Sequence, residues 1–364
     1  MVERVFALKE EHEKLGAEFA EWNGMNVAAT YAGSTIEQDH DATRDAAGLF
    51  DLTAFRKLWI KGADAREVVN RTVSRDVSKL KPGRAMYTLV LNDTGGVCDD
   101  GIVSCFAEDK FLWVIGTGTS GDRFAESAQG KDVTLEWDNE VQVMSLQGPK
   151  AIDVLAPNVE GTDLRELKFF SHTDAKLFGR DVHISRTGYS GERGYEIYAK
   201  PADAPHLWNK ILEAGKSEGV IPASFNSLNP IRVEAGLLFY PFDVSPDNTP
   251  WEVGAGFLVN KDKGDYLGKD AALAKEGKER FILRGIATDA DAALWEGGEE
   301  LTKDGKKVGE VNVGDYSHRM KKALAYVFVD PDITEGTKVK VGDKEVTVEN
   351  LPFYDKNKER PRAS

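Results

Sequence analysis

Two adjacent carboxylates, Asp99 and Asp100, follow a Gly95-Gly96 turn inside the stretch Met86–Val103. The stretch reads as strand, tight turn, strand, with both glycines where a hairpin needs positive φ. Successive strand residues face opposite sides. One carboxylate is therefore expected in solvent and the other aimed into a cleft on the covered side. A carboxylate so placed can orient a ligand and hold a proton. The same residue type also serves a turn, because Asp bonds its own backbone there.

A second chemical stretch runs from Thr187 to Tyr198. It holds three glycines in seven residues, Tyr189 and Glu196, with further tyrosines between. Aromatic rings beside carboxylates suit a flat, polar-edged heteroaromatic ligand. A glycine-rich hairpin whose tyrosines pack on the core fits the same pattern. Arg232 and Glu234 are two apart and cannot share a helix face, so at least one is buried or turned toward another domain. A buried arginine needs a carboxylate. The run Gly116–Gly121 follows a strand but lacks the spacing of either nucleotide fingerprint, and reads as a flexible loop at a pocket edge. His40 and Arg44 lie one helical turn apart and read as an exposed polar face. With no CxxC, no HExxH and scattered histidines, no metal site is expected.

These residues need a frame. A chain of 364 residues is too long for one ordinary core, so two or three domains are expected. With 41% hydrophobic and 30% charged residues, it is globular rather than disordered. A net charge of −14 argues against general nucleic-acid binding. The apolar runs are too short to span a membrane, and no secretory signal is visible. Cys98 and Cys105 are spaced to face opposite sides of one strand, so no disulfide is expected. A reducing, cytoplasmic location follows.

The spacing predicts a helix over 5–21 and a second over 35–47, capped by Thr35 with Gln38 and ended by Gly48. Strands follow at 49–53 and 57–60, then a helix from an Asp64 cap to Thr72, the hairpin, and a strand at 111–115. A strand at 141–146 and one from His183 come next, then an amphipathic helix over 202–215 and a short helix opened by Pro230. A Lys/Glu-rich linker at 275–280 leads to short strands at 281–286, 309–313, 322–329, 338–341 and 345–348, a barrel or sandwich. The last ten residues are expected to fray. Hairpins outnumber crossovers, which points to an α+β fold.

In order along the chain stand Ala47-Gly48-Leu49-Phe50-Asp51, Asp76-Val77-Ser78-Lys79-Leu80, Leu91 to Asp100, Leu146-Gln147-Gly148-Pro149, Arg186 to Glu192, Arg232 to Leu237, Asp265 to Lys269 and Leu351-Pro352-Phe353-Tyr354. Together they resemble the glycine-cleavage T-protein, the aminomethyltransferase, over nearly the whole chain. The resemblance implies three domains in a cloverleaf around a central tetrahydrofolate site, the last an all-β barrel or sandwich. It implies that the first two interleave, as 1–52 with 140–228 and 53–139 with 229–277, before 278–364. It implies a catalytic Asp99, facing the folate cleft while Asp100 points away from it, and folate-site residues Tyr87, Tyr189, Glu196 and Arg232. The partner it implies is a lipoyl carrier protein or, in demethylase relatives, a small one-carbon donor; nucleic acid and membrane are not implied.

The chain departs from the T-protein pattern in several places. The usual Ser-His-Met is Thr53-Ala54-Phe55, Val-Asn-Ala is Ile115-Gly116-Thr117, and Ala-Arg-Asp-x-Leu-Arg is Ser227-Leu228-Asn229-Pro230-Ile231-Arg232. Tyr-Gly-His-Asp is Tyr240-Pro241-Phe242-Asp243, and Ser-Pro-Thr-Leu is Ser317-His318-Arg319-Met320. These changes are expected on the donor side or the carrier-docking surface. The first expectation is an aminomethyltransferase giving methylenetetrahydrofolate. The alternative is a demethylase taking a methyl group from a small S-, N- or O-methylated metabolite and giving 5-methyltetrahydrofolate. A folate-binding protein without catalysis ranks behind both, since its reactive cysteine motif is absent. An enclosed pocket lined by Phe55, Trp113 or Trp251 would favour a free, cationic donor, and an open channel a lipoyl arm.

Overall fold

The computed structural model describes residues 4–363. The chain opens with α1 (Lys9–Lys14), which Gly16 ends at φ +68°. An antiparallel pair follows, β1 (Ala17–Trp22) and β2 (Met25–Tyr31), turned at Asn23 and Gly24, both at positive φ. The helix expected over 5–21 is therefore six residues long, and Phe19 lies in a strand. The glycine resets the backbone, which an apolar period alone does not reveal.

In α2 (Ile36–Asp45) the capping box forms as expected, with Thr35 Oγ1 accepting from Gln38 N and Gln38 Oε1 from Thr35 N. Gly48 does not end this helix. It sits inside β3 (Ala47–Asp51), where a Cβ would stand 2.7 Å from Thr43 Oγ1. Next come β4 (Arg56–Lys61), α3 (Ala65–Thr72), β5 (Arg84–Leu91), β6 (Val97–Ala107), β7 (Lys110–Ile115), α4 (Ser120–Ser127) and β8 (Thr134–Asp138). Asp64 precedes α3 without capping it, and accepts from Asp132 N instead. The chain continues through β9 (Gln142–Gln147), α5 (Ala151–Leu155), β10 (Val159–Glu160), β11 (His172–Leu177), β12 (Arg180–Ser185) and β13 (Gly194–Ala199). Then follow α6 (Ala204–Gly215), β14 (Val220–Pro222), α7 (Leu228–Glu234) and α8 (Lys269–Leu273).

Two sheets share this part of the chain. A seven-stranded sheet runs β10-β11-β12-β13-β9-β3-β14 and a five-stranded antiparallel sheet runs β5-β6-β7-β4-β8. The chain thus leaves the first sheet after β3, builds the second, and returns at β9. Trp208, Leu207 and Ile211 of α6 bury one face of the first sheet. Val68, Val69 and Phe124 of α3 and α4 bury one face of the second.

The last strands, β15 (Ile282–Asp289), β16 (Glu300–Lys303), β17 (Lys306–Ser317), β18 (Lys322–Val329), β19 (Lys338–Val341) and β20 (Lys344–Glu349), close into a six-stranded barrel. β16 was not expected, because its four residues Glu300–Lys303 carry little strand signal. The C-terminal segment does not fray over 355–363. Arg360 Nε bonds Glu192 Oε1 and Oε2 at 2.8 and 2.7 Å. Among the described residues, no helix is long and apolar enough to cross a membrane.

At the hairpin only Gly95 takes positive φ, +79°. Gly96 is required for a different reason: a Cβ there would meet the Pro246 carbonyl oxygen at 1.8 Å. Asn92 Nδ2 donates to that same oxygen at 2.8 Å, which seats the turn on the 245–248 loop. Gly96→Ala should therefore cost about 3 kcal/mol by overpacking against backbone. A urea midpoint unchanged from wild type would show that the turn is not held there.

Candidate functional site

A cavity of ≈ 1530 Å³ lies where both sheets, α7 and the barrel meet. All five residues that the resemblance singled out, Tyr87, Asp99, Tyr189, Glu196 and Arg232, line it. They come from β5, β6, the loop before β13, β13 itself and α7.

The period-two argument holds, but its assignment of faces does not. Leu89 pairs with Asp100 and Tyr87 with Ile102, so Asp100 shares a face with the cavity residues Tyr87 and Ile102. Asp100 is partly exposed and accepts from Tyr87 Oη at 2.7 Å. Asp99 shares its face with Val103 and Cys105, in the core beneath α3 and α4. It is only 1% exposed and reaches just the cavity edge. Its Oδ2 accepts from Ser120 N at 3.3 Å and from Ser120 Oγ, whose hydroxyl also accepts from Trp113 Nε1 at 2.9 Å. Asp99 thus sits at the start of α4, where a helix favours negative charge. The expectation that Asp100 points away from the cleft is corrected. Both faces of β6 are apolar and covered, so alternation could not say which face meets the cavity.

Burial pushes the Asp99 carboxyl up to about 7, against the opposing pull of Ser120. Burial likewise pushes Asp100 up to about 6, against the Tyr87 hydroxyl. Neither carboxylate has a lysine, arginine or histidine partner among the described residues. Gly118 closes over Asp99: a Cβ there would meet the carboxyl carbon at 1.9 Å. The Gly116–Gly121 run is therefore packed on a carboxylate, with Gly116 and Thr117 at the cavity wall.

On the opposite wall Glu196 is buried, which raises its pKa. Its Oε2 accepts from Thr187 Oγ1 at 2.6 Å and Tyr198 Oη at 3.2 Å. Its Oε1 takes no bond from the described residues. Tyr189 Oη donates to Leu238 O at 2.6 Å, fixing the ring at the wall. Arg232 is 1% exposed and paired with Asp243, and its Nε donates to Asn229 Oδ1 at 2.9 Å.

His40 and Arg44 do not form an exposed face. Both are buried, at 0% and 1%. Arg44 spends all its N–H groups on Glu234, Glu192, Ser190 O and Ile231 O. His40 Nε2 lies 2.8 Å from Glu234 Oε1. Glu234, not Arg232, is the residue that binds α2 to α7. No single-segment pattern shows this, since Arg44 and Glu234 are 190 residues apart.

Of the aromatic residues expected at a donor pocket, Phe55 lines the cavity. Trp113 is buried in the core under α4, and Trp251 is outside the cavity wall. Phe225, Phe239 and Phe242 take that place. Several departures from the T-protein pattern fall here too: Phe55, Gly116, Thr117, Leu228, Asn229 and Phe242 all line the cavity. No group of three or more His, Cys, Asp or Glu is placed to hold a metal ion among the described residues.

Comparison with known proteins places this architecture. A family model described as the GCVT N-terminal domain matches residues 8–263, and one described as the glycine cleavage T-protein C-terminal barrel domain matches 282–355. A protein named heme-dependent oxidative N-demethylase gamma subunit, from Ectopseudomonas mendocina, is 39% identical, with 99% of this chain and 98% of the relative covered. An aminomethyltransferase from Saccharopolyspora erythraea is 36% identical, with 96% and 98% covered. The solved structure of the glycine cleavage system aminomethyltransferase T from Bartonella henselae superposes with a TM-score of 0.86 at 28% identity, covering 96% of this chain and 98% of that one.

Proposed function

Because this chain belongs to the glycine-cleavage T-protein family, and is thus an enzyme that transfers one-carbon units, we propose that its central cavity binds tetrahydrofolate and receives a carbon at the methylene level from a small methylated amine. The observation that carries this reading is the joining of Tyr87 and Asp100, Tyr189, Glu196 and Arg232 around one cavity from separate elements.

The residues present fit a reduced pterin. Glu196 keeps one carboxylate oxygen free beside the other, which Thr187 and Tyr198 hold in place. A carboxylate in that pose suits the paired N–H donors of a pterin edge. Tyr189 presents a ring anchored through its hydroxyl. Tetrahydrofolate, when bound, supplies the nitrogens that accept the carbon. Asp100 then stands where it can take up a proton, and Tyr87 orients it. Ionised Asp100 also stabilises positive charge on an incoming donor. Asp99 acts at one remove, fixing the start of α4 and the Gly116–Gly121 wall.

The donor assignment draws on two supports. Several departures from the T-protein pattern line the cavity: Gly116 and Phe242 stand where the pattern has asparagine and histidine, and Phe55 puts a ring where it has methionine. In addition, the N-demethylase gamma subunit is a relative over the full length. Oxidation of an N-methyl group yields carbon at the formaldehyde level, which is the level of a methylene transfer. In this reading a separate oxidising subunit supplies the donor. A second reading, an aminomethyl group carried on a lipoyl arm, is favoured by the aminomethyltransferase relatives. It gives the same folate product.

The test uses tetrahydrofolate with the hemiaminal that dimethylamine forms with formaldehyde, followed by mass analysis of the folate. We expect methylenetetrahydrofolate, dimethylamine and water, at a rate well above the enzyme-free blank. A methyl-level product, or turnover only with a lipoyl carrier, would overturn this assignment.

A further inference from the structure

We propose that the wall around Gly116 is a subsite for a small methylated ammonium or iminium cation, caged by aromatic rings and facing the unpaired carboxylate Asp100. This rests on the methylene-transfer reading above and names the charge and shape of its donor.

The rings form one cluster. Trp22 lies 5.3 Å from Phe55, 5.0 Å from Phe225 and 6.1 Å from Phe239, centroid to centroid. Phe55, Phe225, Phe239 and Gly116 line the cavity, and Trp22 stands behind Gly116. A Cβ built on Gly116 would stand 3.9 Å from Trp22 Cζ2 and 3.9 Å from Phe239 Cε2, so the missing side chain leaves an opening between two rings. The cluster is pinned from outside. Asn23 Nδ2 donates to Gly116 O at 2.8 Å and to Ala54 O at 3.1 Å, and Arg4 Nη2 to Phe55 O at 3.0 Å. Rings held this firmly form a preorganised cage.

Charge decides what the cage takes. Gly101 of β6 pairs with Ile115, the last residue of β7, which brings Asp100 beside Gly116 just past the strand end. Asp99 and Asp100 are adjacent carboxylates with no cationic side chain of their own among the described residues. Of the nearby cations, Arg232, whose guanidinium carbon is 5.8 Å from the Phe239 ring, is already paired with Asp243, and Arg4 and Arg75 donate to the backbone carbonyls of Phe55 and Tyr87. Ring faces attract cations, and more strongly where water is excluded. A neutral apolar ligand would gain the rings and leave the carboxylates unmatched. A methylated cation gains both.

The full chain, without folate, is titrated with tetramethylammonium and dimethylammonium chlorides by calorimetry at pH 8, with sodium chloride and tert-butanol as controls. We expect saturable binding of both cations and at least tenfold weaker binding of the neutral alcohol. Phe55→Ala should weaken the cations by about tenfold, and Gly116→Leu, whose Cβ stands in ordinary contact with both rings and whose further carbons fill the space between them, should abolish their binding. In the unmutated protein, methyl protons of tetramethylammonium should show nuclear Overhauser contacts to an indole ring, which decides the matter if a variant does not fold. Equal affinity for the alcohol, full affinity in Gly116→Leu, or no ring contacts would overturn the subsite. Because no folate is present, such a failure leaves carbon transfer standing. Cation binding together with a failed product assay would sink the transfer reading instead.

Discussion

Asp100→Asn should lower kcat by about 10³-fold while leaving the fold intact. The asparagine keeps the size of the side chain and can still accept the Tyr87 hydroxyl, so what is lost is charge and proton affinity. Burial raises the Asp100 carboxyl to about 6, and the ionised form is the one required. Wild-type kcat/KM should therefore rise with pH through about 6 and level above it, and the variant should show no such limb. Stability should move the other way. A carboxyl whose pKa is raised on folding contributes its favourable share below its unfolded value, and loses it as pH rises through about 6. Above that pH the variant should be at least as stable as wild type. Asp99→Asn is the comparison that matters. Asp99 is tied to Ser120 and reaches only the cavity edge, so its loss should be smaller. If Asp99→Asn proves the crippled variant and Asp100→Asn turns over normally, the roles must be exchanged.

Arg44→Ala should destabilise the protein by about 3–5 kcal/mol, read as a shift in the denaturation midpoint. The guanidinium is buried and its hydrogen bonds reach α7 and the loop before β13, while Arg360 Nη2 from the C-terminal segment donates to Arg44 O at 2.8 Å. Without it, Glu234 faces only His40 and Ser317, and Glu192 only Arg360. Arg44→Lys should rescue little, because an ammonium cannot reproduce the forked set of donors. The pH dependence has a definite sign. Burial would raise the Glu234 carboxyl, but His40 and Arg44 outweigh it and hold it below its usual range. The stabilisation is thus present at neutral pH and shrinks as acid protonates Glu234. The gap between wild type and Arg44→Ala should narrow toward pH 3. A gap that stays constant would mean that packing, not charge, holds this joint.

The same residues show where sequence reasoning reached and where it stopped. The Thr35–Gln38 cap and the 202–215 helix rest on interactions within a few residues of one another, and most barrel strands show in their own residue pattern although their pairing is long-range, so local pattern determined where these elements lie. The order of motifs from Ala47 to Tyr354 determined the family, the α+β fold and the group of residues that meet at one cavity. Tertiary structure alone decided three further things. It put Asp100 on the cavity face of β6 and left Asp99 at the cavity edge, because both faces of β6 are covered by apolar packing and alternation is blind to which cover holds the ligand. It buried His40 and Arg44, because their partners lie on α7 and near β13, far away in the chain. It gathered Trp22, Phe55, Phe225 and Phe239 around Gly116, from segments that carry no shared signal. Local hydrogen bonding is written in neighbouring residues, whereas the composition of a cavity depends on which surfaces the folded chain brings face to face.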